Sequence, residues 1–114
     1  MRQIVIDDLT GEECSNIDSY LKRTVKSTGI DGMYWLQLAD DLHGEAQQGH
    51  QACGPFYFAL ELNKSPGRET LSCELLVRSE SNLHCSCISY ATPMQRDFLL
   101  RFLDQMLAEE QIRA

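Results

Sequence analysis

The feature that most constrains this chain is a pair of alternating runs around one turn. Residues 56–63 read FYFALELN, so Phe56, Phe58, Leu60 and Leu62 alternate with Tyr57, Ala59, Glu61 and Asn63. A period of two belongs to a strand with one buried face. Ser65-Pro66-Gly67-Arg68 follows, with proline presetting φ at the second turn position and glycine free to take a positive φ at the third. Folding about that turn sets Leu62 opposite Leu71, Leu60 opposite Cys73, Phe58 opposite Leu75 and Phe56 opposite Val77. Inner residues then meet inner residues, and a slip of one would turn the whole set to solvent. An antiparallel hairpin is therefore the first element the chain requires.

Two helices flank it. Near the C-terminus, Thr92 is placed to cap, Pro93 occupies the first helical position and Gln95 completes a capping box. Behind them Met94, Phe98, Leu99, Phe102, Leu103, Met106 and Leu107 recur at spacings of three and four. Near the N-terminus, Thr10 and Glu13 offer a second capping box. Cys14, Ile17, Leu21 and Val25 form a narrow stripe there, and Gly29 is the expected stop. Residues 3–7 (QIVID) read as an edge strand and residues 32–39 (GMYWLQLA) as a further strand.

The segment from Leu83 to Tyr90 is expected to be the last strand. With three residues in the loop of the turn around 79–82, Cys73 would face Cys87 and Leu75 would face Cys85, placing three thiols on the buried face with Leu83. An even loop would send His84, Ser86, Ile88 and Tyr90 inside, where the histidine and serine would need polar partners. The first arrangement is preferred. The element order is then β-α-β-β-β-β-α. It describes an α+β two-layer sandwich, with a mostly antiparallel four- to five-stranded sheet and two helices on one face. A length of 114 residues suits a single domain spanning 1–114.

Charge and cysteine usage narrow the function classes. A net charge of −7 is the opposite of what a phosphate-tracking surface needs, so no nucleic-acid partner is expected. No apolar run approaches the roughly 20 residues that span a bilayer, so no membrane partner is expected. The N-terminal residues meet two aspartates after a short apolar run, unlike a signal peptide. Five cysteines, an odd number, favour reduced thiols, and a cytoplasmic location is the expectation.

Six residues form the sharpest candidate site: Cys73, Cys85, Cys87 and His84 on the expected strands, with His50 and Cys53 in the loop of residues 40–55. Zinc takes four nitrogen or sulfur ligands, usually from closely spaced pairs on turns. Cysteine-x-cysteine on a strand is a weaker signal than a pair on a turn, so cysteines filling the core, with no cofactor, are the simpler expectation and zinc the alternative. A nucleophilic thiol at Cys53 or Cys87 lacks an identifiable acid to orient a histidine. Asp40, Asp41, His43, Glu45 and His50 carry enough donors for a divalent cation, although solvated loop charge is the commoner outcome. The loop itself is read as irregular or as a short helix over 40–48, broken by Gly44 and Gly49. The chain contains no GxxxxGK[ST], GxGxxG, HExxH or GxSxG sequence.

The apolar arc of the C-terminal helix exceeds what one sheet needs, with Leu100 and Leu107 on its flank. With the cysteines inward, Leu76, Ile88 and Tyr90 share the outer sheet face beside Tyr57 and Trp35. These six, Leu100, Leu107, Leu76, Ile88, Tyr90 and Trp35, are the expected interface of a homodimer or of a complex with another protein. The leading expectation is a non-enzymatic interaction or regulatory module that self-associates. A metal or thiol site is the alternative, and a small-molecule pocket under the 40–55 loop is the third reading.

Overall fold

The computed structural model describes all 114 residues. The chain runs β1 (Gln3–Ile6), α1 (Gly11–Thr24), β2 (Lys26–Ser27), β3 (Met33–Gln37), β4 (Phe56–Asn63), β5 (Thr70–Ser79), β6 (Ser89–Tyr90) and α2 (Pro93–Glu109). The α+β class and antiparallel sheet are as expected, with one additional two-residue strand, β2. The sheet has six strands in the order β1-β5-β4-β3-β2, and β6 also pairs with β5.

Both capping boxes form. Thr10 Oγ1 accepts from the Glu13 amide at 3.0 Å while Glu13 accepts from the Thr10 amide at 2.9 Å. Thr92 and Gln95 repeat the exchange at 3.2 and 2.9 Å. Each pair satisfies two amides that a helix start would otherwise leave free. The first helix stops earlier than expected, at Thr24 with Val25 as its cap, because the chain turns at once into the β2–β3 hairpin. Gly29 lies beyond, in that hairpin's connection, and Tyr20 joins Cys14, Ile17 and Leu21 on the buried stripe.

Both helices lie on the same face of the sheet. Ile17 and Leu21 of α1 and Leu99, Leu103 and Met106 of α2 share one core with Tyr34, Leu36, Phe56, Phe58, Leu60, Leu71 and Val77. The helices also touch each other, with the rings of Tyr20 and Phe102 6.0 Å apart. Burying an aliphatic or phenylalanine side chain of this kind contributes about 1.5–3 kcal/mol, so this layer supplies most of the fold's stabilisation.

The central hairpin forms about the expected turn: Gly67 has φ +79° and the Arg68 amide bonds the Ser65 carbonyl at 2.9 Å. Leu62 pairs with Leu71 and Leu60 with Cys73, as the alternation requires. Beyond them the register departs from expectation, with Phe58 opposite Val77 and Phe56 opposite Ser79. A bulge explains the change. One residue, Ala59, separates the paired positions on β4, whereas Glu74, Leu75 and Leu76 separate them on β5. The two surplus residues keep the inward and outward faces intact while moving every later partner by two.

That bulge divides the far edge of β5. β1 pairs with Leu71 to Glu74, and β6 pairs with Leu76 and Val77. Leu75 is the seam, donating to the Arg2 carbonyl at 3.0 Å and accepting from the Ala91 amide at 2.8 Å. The expected strand over Leu83 to Tyr90 thus shrinks to Ser89–Tyr90, and residues 80–88 form turns instead. Cys87 does not pair with Cys73, nor Cys85 with Leu75, and Leu83 is 74% exposed rather than beneath a helix. Residues 40–55 likewise form no α-helix, but three 3-10 turns at Asp40–Leu42, Glu45–Gln47 and Gln51–Cys53.

Candidate metal centre

The two irregular segments, 40–55 and 80–88, meet beside the N-terminus of α2. In the first, the Cys53 amide donates to the His50 carbonyl at 2.9 Å, closing the Gln51–Cys53 turn. A 3-10 turn has three residues per revolution, so side chains at i and i+3 stand in line. His50 Nδ1 and Cys53 Sγ are accordingly neighbours at 3.9 Å. In the second, the Ile88 amide donates to the Cys85 carbonyl at 3.1 Å and closes a turn that includes Cys87.

Ser79, at the end of β5, fastens the two loops together. Its hydroxyl donates to the Cys53 carbonyl and accepts from the Ser81 and Asn82 amides at 3.2 and 3.0 Å. Ser81 Oγ donates to the Gly54 carbonyl at 2.7 Å, and the Glu80 amide to the Pro55 carbonyl at 2.9 Å. These bonds draw Cys85 Sγ to 3.3 Å from His50 Nδ1 and 3.7 Å from Cys53 Sγ. With Cys87 included, the four ligand atoms all lie within 4.8 Å of one another.

Those separations have a chemical meaning. Zinc bonds of about 2.3 Å to sulfur and about 2.0–2.1 Å to imidazole give a tetrahedron with S···S edges near about 3.8 Å and S···N edges near about 3.5 Å. The three edges among His50, Cys53 and Cys85 fall within about 0.4 Å of these values, and the three to Cys87 lie within 4.8 Å. His50 would bind through Nδ1, which leaves its proton on Nε2. Cys87 is fully buried, while His50, Cys53 and Cys85 are half-buried, so the set has one inner and three outer members.

The thiols differ in their hold on protons. Hydrogen bonding from the Cys87 amide, and then from the Cys87 thiol, favours the Cys85 thiolate against desolvation, and with Cys53 and the charge of His50 lowers its pKa to about 6. Burial, followed by the adjacent Cys85 and Cys53, raises Cys87 to about 12. A metal cation bound here would displace the remaining thiol protons, since the thiolate is the ligand form.

A polar shell fixes the inner ligand. Gln47 Nε2 donates to the Cys87 carbonyl at 2.7 Å, and Gln47 Oε1 accepts from Gln95 Nε2 at 2.9 Å and from the Gly44 amide at 2.8 Å. Gln95 Nε2 also reaches the Leu42 carbonyl at 2.9 Å. Both glutamines are buried, and no buried side-chain polar atom of the protein lacks a partner. Gly44 sits where a Cβ would come within 2.9 Å of the Thr92 methyl and 3.1 Å of Gln95 Nε2, so a side chain there would push the shell apart. Sequence reading missed Gln47 and Gln95 as part of a site. Gln95 was visible only as a capping residue, and nothing in the sequence around Gln47 marks it as buried.

Of the six candidate ligands, four assemble. Cys73 does not: it lies fully buried on β5, where desolvation raises its pKa to about 12. His84 does not either, because the Asn82 side chain turns the backbone at His84 and the residue is exposed. Asp40, Asp41 and Glu45 gather no cation site, since the four-residue cluster is the sole convergence of three or more such groups. His43 lies edge-on to Phe56, with Nε2 3.8 Å from Asp40. Beside it a polar groove of about 790 Å³ runs along Asp40, Asp41, Gln47, Gln48 and Gln51.

Leu100 is 40% exposed, while Leu107 and Ile88 pack against the core. On the outer sheet face, Leu76 pairs with Tyr90, and Arg2 lies 3.9 Å over the Tyr90 ring. Trp35 stacks on Tyr57 at 4.2 Å, with Lys26 5.4 Å above it. No helix is long and apolar enough to cross a membrane. Comparison of the chain with protein-family models, curated proteins and solved structures finds no match.

Proposed function

We propose that this chain is a small zinc-binding protein with one structural Cys3His centre formed by His50, Cys53, Cys85 and Cys87. The observation that carries the reading is the convergence of all four ligand atoms within 4.8 Å, from two separate loops. Four protein ligands fill a tetrahedron and leave no open position for water or substrate, which favours a structural over a catalytic role. The metal would cross-link the 40–55 and 80–88 segments and hold them against α2. Five free cysteines suit a reducing compartment such as the cytoplasm, where such a centre persists.

The test is metal content. Protein purified in reducing buffer without chelators should hold one zinc per chain, and cobalt(II) in its place should give the intense visible absorption of tetrahedral thiolate coordination. Cys85→Ser and Cys87→Ser should each lower the stoichiometry well below one, whereas Cys14→Ser should not. Metal-free wild-type protein that takes up neither zinc nor cobalt would overturn the proposal.

A further inference from the structure

Resting on the zinc reading above, we infer that the centre is also a site of reversible oxidation, in which a hydroperoxide joins Cys53 to Cys85 and thereby releases the metal.

The geometry selects this pair among five cysteines. Cys53 and Cys85 are both half-buried, so solvent reaches them, and their sulfurs are 3.7 Å apart. A disulfide of about 2.05 Å requires the sulfurs to close by only about 1.7 Å. They stand on different loops, both outside the strands and α-helices. The other thiols are withdrawn. Cys87 is fully buried. Cys73 lies inside the β4–β5 hairpin, and Cys14 is buried on α1 with its sulfur 3.8 Å from the Asn63 carbonyl.

The reaction balances in two steps. One of the two half-exposed thiolates attacks a peroxide oxygen. An S–O bond forms, the O–O bond breaks, and the departing hydroxide, or alkoxide from an organic hydroperoxide, takes a proton to become water or an alcohol. The second thiolate then attacks that sulfur, forming the S–S bond and expelling the sulfenic oxygen, which leaves as water after a second protonation. The two sulfurs lose two electrons in total and the hydroperoxide gains them. Zinc is left with His50 and Cys87 alone, half of its ligands, and passes to solvent. A dithiol reductant reverses the change and restores the site.

The experiment uses reduced, zinc-loaded wild-type protein, with metal content measured first. Hydrogen peroxide is then added in small excess with a chromogenic zinc chelator present, and tryptic peptides are mapped after alkylation. Cys53 falls in the peptide of residues 27–64 and Cys85 and Cys87 in that of 79–96, while Cys14 and Cys73 lie in two others. The expected result is one zinc released for each 27–64/79–96 cross-link, with fragmentation placing the bond at Cys85, and recovery of both thiols and metal binding after dithiol treatment. Zinc retained under peroxide, or released with a Cys85–Cys87 bond or with sulfinic acid in place of the cross-link, overturns this inference while leaving the zinc reading intact. A reduced protein that binds no zinc overturns the zinc reading and this inference with it.

Discussion

The β4–β5 hairpin and the paired loops at 40–55 and 80–88 solve the same problem by different means. The hairpin is held by apolar side chains that alternate in sequence and meet in register, with Leu60 and Cys73 fully buried at its centre. The loops have almost no regular structure, and backbone carbonyls, two glutamines and Ser79 hold them. Cysteine serves differently in each. In the hairpin, Cys73 is an isolated small apolar residue; in the loops, three cysteines and a histidine share one space. Whether neighbouring thiols can converge therefore follows from whether the backbone lies in a ladder or in a turn, because a turn can aim neighbouring side chains at one point and a strand sends them to opposite faces.

The comparison breaks most readily at Leu60. Leu60→Ala removes a fully buried side chain facing both Tyr34 and Cys73, and should lower stability by about 2–5 kcal/mol in urea titration. Metal stoichiometry of the folded fraction should not change. Loss of zinc from folded Leu60→Ala protein would mean the two regions are not separate.

A smaller effect is expected at Gln47. Gln47→Ala strands the Cys87 carbonyl, the Gly44 amide and one bond of Gln95, which should destabilise by about 1–3 kcal/mol. Unlike the leucine change, it should also weaken zinc affinity by about 10- to 100-fold in a competition titration with a calibrated chelator, as loss of a supporting hydrogen bond commonly does. Unchanged affinity would reduce Gln47 to a packing role.

The least effect, and the one with a pH signature, belongs to Asp18 on α1. Burial alone would raise its pKa, but hydrogen bonds from Tyr34, Lys64 and Lys22 hold the carboxyl below its usual range. A depressed folded-state value contributes stability above the unfolded value of about 3.9, and that contribution disappears as the pH falls through the folded value. Asp18→Asn should therefore cost about 1 kcal/mol at pH 7, allowing for solvent screening, and progressively less below about pH 4. Denaturation midpoints of both proteins at pH 7 and pH 3 measure this. A gap that widens on acidification would contradict the assignment.

What could be read from the chain followed the same division. Helix caps at Thr10 and Thr92, the Ser65-Pro66-Gly67-Arg68 turn and the alternation in β4 are local rules, and each led to the right element. The β5 bulge was invisible because its surplus of two residues preserves the inward and outward pattern that alternation reports. The segment Leu83 to Tyr90 misled for a related reason: His84-Cys85-Ser86-Cys87 alternates like a strand, yet the Asn82 turn and the Ser79 hydroxyl commit the backbone to turns. Four of the six named ligands converge. The two that do not, Cys73 and His84, entered the set through that strand. In the assembled four, His50-x-x-Cys53 and Cys85-x-Cys87 are short pairs in turns, whereas Cys73 stands alone in a strand.

The seam at Leu75 also bears on how copies of this protein behave when crowded. One rim of the sheet is tiled by β1 and β6 end to end, with Arg2 laid across Tyr90 at the joint; the opposite rim ends in the two residues of β2. Neither rim offers an incoming chain a long straight row of free amides and carbonyls, the template on which sheets grow into fibrils. The interrupted ladder should keep concentrated solutions clear of strand-on-strand polymer, and a deletion of two residues from the bulge, by straightening that rim, is where such growth would begin.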